Sequence, residues 1–139
     1  SILGRIILGG TADRLGGKPA LIIAYVILCA SLIWLLFIRE PSILFLFAPV
    51  YGFTHGAFFT LISPTVAELF GTRSHGVIFA IVLFHGTIGG ALSPLIAGYV
   101  FDTVGSYQPV FACLAGLAVA GLVLVQFLQS NSPAEIEVT

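Results

Sequence analysis

Two histidines, His55 and His85, each lie near the middle of an apolar stretch of the sequence. A polar side chain deep in a membrane helix is costly and is interpreted as functional by default. Imidazole exchanges a proton near neutral pH and donates hydrogen bonds to carboxylates. The pair therefore predicts a shared site for a proton and an organic anion. The alternative is that each histidine is neutral and bonded to a neighbouring helix, while His75, at the start of its stretch, is predicted to be interfacial.

The charged segment after the first apolar stretch has glycines and charges at regular spacing. It reads GGTADRLGGK and contains Gly9, Asp13, Arg14, Gly16 and Lys18. Gly9, one helical turn before Asp13, lets a neighbouring helix come close, so that the Asp13 carboxylate accepts bonds from that helix's N-terminal amides or pairs with a cation. We expect this contact to latch one conformation. Alternatively, Arg14 and Lys18 only set topology and touch anionic lipid.

Three further charged residues are predicted to support this segment. Glu68 and Arg73 are expected on the same side of the molecule and would join a charge network with Arg14. Arg5 lies about two turns inside the first apolar stretch, where an unpaired guanidinium is costly. Arg5 therefore needs a partner, or its side chain extends toward the membrane surface.

Enzyme and metal-site patterns do not occur in the sequence. Neither HExxH nor GxSxG is present, and two dispersed histidines do not make a metal site. No enzyme activity, metal or other cofactor is predicted, and no nucleic-acid partner is expected; the formal net charge of -1 by itself says little about partners. A channel is the alternative suggested by a faint likeness to the potassium filter, but an extra serine interrupts the match and no pore helix precedes it. The residues concerned are Thr103, Val104, Gly105, Ser106 and Tyr107.

Composition determines the elements that carry these residues. Hydrophobic residues make up 58% of the 139 residues and charged residues only 8%, against roughly 25% charged in a soluble domain. Each uncharged stretch has at least the about 20 helical residues that span a bilayer. These stretches cover 19–38, 41–67, 74–101 and 103–134. We therefore predict an all-α fold, a polytopic transmembrane helix bundle in contact with lipid.

Helix boundaries are predicted from charges, glycines and prolines. The prediction is a partial helix over 1–12, then helices at about 19–38, 42–67, 75–100 and 109–128. Because the chain starts at Ser1, lacks methionine and opens on half a span, we expect a fragment of a longer protein. The polar, acidic tail over 130–139 is expected to be disordered and cytoplasmic.

Basic residues near the ends of the spans predict the orientation. Arg14, Lys18 and Arg73 fall on one side of the predicted bundle, and Arg39 alone falls on the other. The first group is therefore expected in the cytoplasm, together with the C-terminus. The predicted location is a plasma membrane or a bacterial inner membrane.

An internal repeat links two helix ends. The pattern G-x-x-x-D-x-x-G occurs first as Gly9, Asp13 and Gly16, and again as Gly98, Asp102 and Gly105. Three predicted crossings separate the copies, so they are expected on opposite sides of the membrane. Such inverted-topology repeats recur in secondary transporters. The alternative is a chance match caused by abundant glycine.

Small residues predict which helices pack inside the bundle. The helix at 19–38 has no glycine and no charged residue, which suits a scaffold helix facing lipid. The helices at 42–67 and 75–100 carry glycine, threonine and proline at four-residue spacing, which lets membrane helices approach closely. We expect these two to be the interior, moving helices.

The segment GRIILGGTADRLGGK resembles the signature cytoplasmic loop of the major facilitator superfamily, G-x-x-x-D-R-x-G-[RK]-[RK]. Five positions match it: Gly9, Asp13, Arg14, Gly16 and Lys18. Gly17 departs at a position that is usually basic. The resemblance implies a 12-helix fold in which this chain is the last four and a half helices and the N-terminal half of the same protein is its partner.

Two later runs, VAELFGTRSHGVIFAIV and SPLIAGYVFDTVGSY, resemble the monocarboxylate and oxalate/formate porter branch of that superfamily. This narrower resemblance implies a secondary transporter that moves a small organic anion by alternating access, coupled to a proton or a counter-anion. A drug or metabolite efflux pump of the same superfamily is one alternative. A membrane scaffold subunit that transports nothing is another.

Overall fold

A computed structural model describes residues 2–128, and within that range the chain is helical, with no strand. Five helices follow one another: α1 (Ile2–Leu15), α2 (Gly17–Phe37), α3 (Pro41–Phe70), α4 (His75–Val104) and α5 (Gln108–Phe127). The predicted all-α fold is confirmed. The predicted disordered tail at 130–139 lies outside the described residues.

Four helices are long and apolar enough to cross a membrane: Gly17–Phe37, Ser42–Phe70, His75–Val104 and Gln108–Phe127. Their outer surface is apolar, with Phe37 75% exposed, Phe45 85% and Phe127 77%. Water is a poor solvent for such a surface, whereas lipid chains match it. The protein is therefore an integral membrane protein.

Three of the helices, α1, α3 and α4, end later than the apolar stretches that predicted them. Helix α1 continues beyond Ala12 through Asp13 and Arg14, so the Asp13 carboxylate is carried by a helix and not by a loop. Helices α3 and α4 likewise continue past the last apolar turn to Phe70 and Val104. The reason is that backbone hydrogen bonding continues where a helix leaves the apolar layer, so a charged residue does not by itself end a helix.

Helix α2 lies at the centre of the described bundle, between α3 and α5. Ala20 and Ala24 are fully buried, one turn apart, and their small side chains let α3 approach. One core cluster comprises Leu8, Ala12, Ala20, Leu21, Ala24, Ala57, Leu61 and Val125, and a second comprises Cys29, Leu32, Leu35, Ala115 and Ala118. The other side of α2 is exposed, at Ile23, Val26, Ile33 and Phe37. The expectation of a scaffold helix largely facing lipid therefore fits that side only, and alanine serves as the small residue on the packed side.

Helix α4 has no buried residue and touches only α3 and α5 among its described neighbours. A side chain added at Gly86, Gly90 or Gly98 would meet nothing within 4 Å. Glycine permits another helix to pack closely, but it does not ensure that another helix lies beside it. The predicted interior position of this helix is therefore not reached within residues 2–128.

Helices α1 and α3 run in the same direction with a defined register. Gly4 lies against the Phe53 carbonyl, where a Cβ would overlap the backbone, and a Cβ on Gly9 would lie 3.2 Å from the Thr60 methyl. Later residues of α1 thus meet later residues of α3. Arg5 is therefore level with the middle of α3, a helix long and apolar enough to cross a membrane.

Candidate functional site

The motif segment forms the junction between α1 and α2. Gly16 alone separates the two helices, with φ of 96°, and its amide donates to the Ala12 carbonyl at 2.9 Å. This backbone conformation is open to glycine at little cost and strained for other residues. The tight turn brings the end of α1 and the first turn of α2 to one end of the bundle, which we call the motif end.

Glu68 reaches the motif end from the last turn of α3. Its Oε2 accepts the amide of Gly17 at 2.6 Å and the amide of Lys18 at 3.2 Å. The first amides of a helix have no partner within the helix and carry partial positive charge, so a carboxylate is a favourable cap. The side chain of Glu68 therefore caps the N-terminus of α2.

Lys18 extends the same cluster to α5. Its Nζ donates to the carbonyl of Gln126 at 3.3 Å and to the carbonyl of Leu128. The last carbonyls of a helix carry partial negative charge, which a lysine ammonium offsets. The first turn of α2 is therefore bonded to the ends of both α3 and α5.

The other charged residues predicted for this network are not joined to it. Arg5, Arg14 and Arg73 are exposed, and none makes a hydrogen bond or ion pair within residues 2–128. Asp13 is also exposed and has no donor among the same residues. The sequence predicted that these charges lie on one side of the bundle, but it did not determine their partners. The partner of a long charged side chain depends on which groups tertiary packing brings within reach.

Asp13 lines a cleft of about 540 Å³ between the ends of α1 and α3 and the start of α4. The walls are Gly9, Ala12, Asp13, Thr60, Ser63, Pro64, Ala67, Thr72 and His75. We call this the α1–α3 cleft. Its polar groups come from three different segments, so no single sequence motif predicts it.

His75 is a wall of the α1–α3 cleft and not merely an interfacial residue. Its Nε2 lies 3.3 Å from the Ser63 hydroxyl and its ring stacks on Phe79. Its Nδ1 is buried and has no hydrogen-bond partner in the described part of the chain. The sequence analysis treated Thr60 only as a small packing residue and did not consider Ser63, although a hydroxyl in a long apolar helix was an available signal.

The two histidines of the apolar stretches have separate surroundings. His55 is exposed in the middle of α3, stacked on Tyr51 at 5.7 Å and edge-on to Phe59 at 5.3 Å. His85 is exposed on α4, and its Nδ1 donates to the Ile81 carbonyl at 2.8 Å. No hydrogen bond or ring contact joins the two within residues 2–128.

The two copies of the glycine and aspartate repeat lie at opposite ends of the bundle. Gly105 ends α4 with φ of 72°, and its amide donates to the Phe101 carbonyl at 2.7 Å, as Gly16 does to Ala12. At that same end the side chain of Gln108 donates to the Leu36 carbonyl at 3.4 Å, at the far terminus of α2. Asp102 is exposed there, three residues before its glycine, and Gly98 is half-buried.

Comparison with known proteins identifies the family. Mouse monocarboxylate transporter 12 is 29% identical over 92% of this chain, and bovine monocarboxylate transporter 13 is 29% identical over 86%. The putative glycerol-3-phosphate transporter 1 of Arabidopsis thaliana is 30% identical over 97%. The chain spans 27%, 29% and 28% of the length of these three relatives, respectively. No solved structure matches the chain.

The family profile of the Major Facilitator Superfamily matches residues 1–139, the whole chain. This agrees with the resemblance of the motif segment and with the four membrane-spanning helices. The relatives are named as transporters and not as enzymes. The chain belongs to the Major Facilitator Superfamily.

Proposed function

We propose that this chain is the part of a secondary transporter that moves a small organic anion, most simply a monocarboxylate, by alternating access. The coupling partner is a proton or a counter-anion. The relatives named for monocarboxylate and for glycerol-3-phosphate support an anion, because both kinds of molecule are negatively charged at neutral pH.

The observation that carries the proposal is the exposed guanidinium of Arg5, level with the middle of the membrane-spanning helix α3. It has no partner among residues 2–128, yet Gly4 beside it packs on the backbone of Phe53 in the middle of α3. A charged group at this depth faces a cavity or a counter-charge, not lipid. A carboxylate substrate supplies that counter-charge, and guanidinium binds carboxylate through two parallel hydrogen bonds.

Helix periodicity directs Arg5 toward the α1–α3 cleft. Arg5, Gly9 and Asp13 follow at four-residue spacing and so share one face of α1, and the last two line the cleft. His55 and Ser63 share a face of α3 in the same way, and Ser63 also lines the cleft. Arg5 and His55 then border the deeper part of one pathway that opens at the motif end.

Histidine provides the means of proton coupling. His55 and His85 are exposed, and a histidine changes charge in the physiological pH range. Protonation of His55, at about the level of Arg5, would add positive charge to the proposed anion pathway, and release of the proton would remove it. Binding of anion and proton would then favour each other, as coupling requires.

The motif end is proposed to face the cytoplasm, together with the C-terminus. The basic residues Arg14, Lys18 and Arg73 all lie at that end, whereas Arg39 lies at the other. Basic residues near the ends of spans are enriched on the cytoplasmic side. In this orientation the α1–α3 cleft is a cytoplasmic opening and Asp13 acts as a latch at its rim.

Counterflow in liposomes tests the transport proposal. The full-length protein that contains these residues is reconstituted, loaded with unlabelled lactate and given labelled lactate outside. We expect label to accumulate transiently, and we expect Arg5→Gln to reduce its initial rate roughly 10- to 100-fold, as the loss of a charge-assisted contact implies. Arg39→Gln is the matched control and should keep the parent rate.

Two results would contradict this assignment. Counterflow that is equal in Arg5→Gln and the parent would remove Arg5 from the anion site. Absence of counterflow for every organic anion tested, in protein that is folded and correctly inserted, would favour a scaffold or a channel, since neither exchanges solute through a carrier site.

A further inference from the structure

We propose that Gly17 stands at the usually basic position of the motif because, in this protein, the first turn of α2 itself takes the place of the basic side chain. Glu68 is then the positioning residue that holds the junction of α1 and α2. The inference concerns how the motif is held and does not depend on which solute is transported.

Packing excludes any side chain at position 17. Gly17 is buried, and a Cβ placed there would lie 2.8 Å from the backbone nitrogen of Thr65 and 2.9 Å from its Cα. Real Cβ atoms do not come so close, and backbone atoms in the middle of a helix cannot move aside cheaply. The Thr65 hydroxyl is at 2.9 Å from the same point and is itself buried. A basic residue would force α2 away from α3.

The close approach that glycine allows creates the polar contact. With α2 against α3, the amide of Gly17 lies 2.6 Å from Glu68 Oε2 and the amide of Lys18 lies 3.2 Å from it. A carboxylate that accepts two amides at a helix N-terminus gains both hydrogen bonds and the favourable end of the helix dipole. Positive charge is thus supplied by backbone and not by a guanidinium or ammonium at position 17.

The motif is thereby divided into two parts with different roles. Gly16, Gly17 and Lys18 are bonded into the bundle through Ala12, Glu68 and the end of α5. Asp13 and Arg14, three and two residues before Gly16, are exposed and have no partner within residues 2–128. The bonded part holds Asp13 at a constant position, and Asp13 is the part that can exchange partners.

Stability and amide exchange of the full-length protein in detergent test this inference. We expect Gly17→Ala and Gly17→Arg both to lower the midpoint of thermal unfolding, since a Cβ alone causes the overlap. The matched control is Gly10→Ala, in the same segment, where a Cβ would meet nothing within 4 Å. A Gly17→Arg protein as stable as the parent would overturn the inference, because a purely electrostatic role for position 17 predicts that outcome.

Amide hydrogen exchange measures the contact between Glu68 and the amides of Gly17 and Lys18 directly. This measurement does not require a Gly17 variant to fold. In the parent, the amides of Gly17 and Lys18 should exchange slowly, and Glu68→Ala should raise their exchange by about tenfold, as the loss of a charged acceptor implies. Glu68→Gln keeps an acceptor oxygen, so in that variant the amides of Gly17 and Lys18 should exchange at a rate between those of the parent and Glu68→Ala. Fast exchange in the parent, or exchange unchanged by Glu68→Ala, would overturn the inference.

Discussion

The ammonium of Lys18 donates to the carbonyl of Leu128, so the first turn of α2 is bonded to the last turn of α5. The two residues are far apart in the sequence and both lie at the motif end. Unpaired carbonyls at a helix terminus attract a cation, and the lysine side chain is long enough to reach them. Lys18, which the motif alone would explain as a topology signal or a lipid contact, therefore makes a structural contact inside the protein.

Replacement of Lys18 should lower stability by a modest amount. We expect Lys18→Met to cost about 0.3–1 kcal/mol, the usual value of a charge at a helix terminus, and Lys18→Arg to retain most of the contact. The measurement is the midpoint of thermal unfolding of the full-length protein in detergent. Arg73→Met is the matched control, because Arg73 is exposed and unpaired within residues 2–128. Equal midpoints for Lys18→Met and the control would rule the contact out.

Neutralisation of Asp13 should impair transport and spare folding. In Asp13→Asn the carboxylate that lines the α1–α3 cleft loses its charge but almost none of its volume. Because Asp13 makes no hydrogen bond within residues 2–128, we expect parent-like expression and size-exclusion profiles with slower uptake into proteoliposomes. Glu40→Gln, an exposed carboxylate at the other end, serves as control. Uptake equal to that of the parent would count against the latch.

Removal of His55 or His85 should change the response of transport to pH. Each substitution to alanine removes an imidazole, the type of side chain proposed to carry the coupled proton, and opens no cavity because both side chains are exposed. We expect weaker substrate binding or a displaced pH profile of initial uptake in at least one variant. His55→Ala is expected to have the larger effect, since His55 is level with Arg5. If the pH profile of uptake is unchanged in both variants, neither histidine takes part in proton coupling and both are packing residues.

Labelling from one side of the membrane should distinguish the two copies of the repeat. Cysteine introduced at Arg73 reports the motif end, and cysteine at Ser106 reports the opposite end, in protein whose Cys29 and Cys113 are replaced by alanine. An impermeant thiol reagent applied to intact cells should label the Ser106→Cys protein and spare the Arg73→Cys protein. Labelling of both from outside would refute the inverted arrangement and the proposed orientation together.

Sequence patterns predicted the helices well and the helix ends less well. Apolar length is a direct consequence of the lipid environment, so four spans were evident from the charges that separate them. The ends of α1, α3 and α4 extend beyond those charges, because charged residues are stable in a helix once it leaves the apolar layer. The glycines at 16, 71 and 105, all at positive φ, mark the true ends.

Burial was harder to predict than helicity. The sequence analysis assigned close packing to the glycine-containing α4 and large lipid exposure to α2, whereas within residues 2–128 α2 has eight buried residues and α4 has none. Small residues indicate that a neighbouring helix can approach closely, but they do not show that a helix is present there. Ala20 and Ala24 of α2 have their neighbour in α3, whereas a side chain added at Gly86 or Gly90 of α4 would meet nothing.

The sequence by itself determined the lipid environment, the all-α fold, the family and the residue types of the motif, because each of these depends on composition or on spacing within one helix or turn. Tertiary structure alone decided the partners: Glu68 with the amides of Gly17 and Lys18, and the Lys18 ammonium with the end of α5. It also brought Asp13, Ser63 and His75 to one cleft. Charges and hydroxyls are satisfied by whichever group packing brings within about 3 Å, and packing joins residues that the sequence keeps far apart.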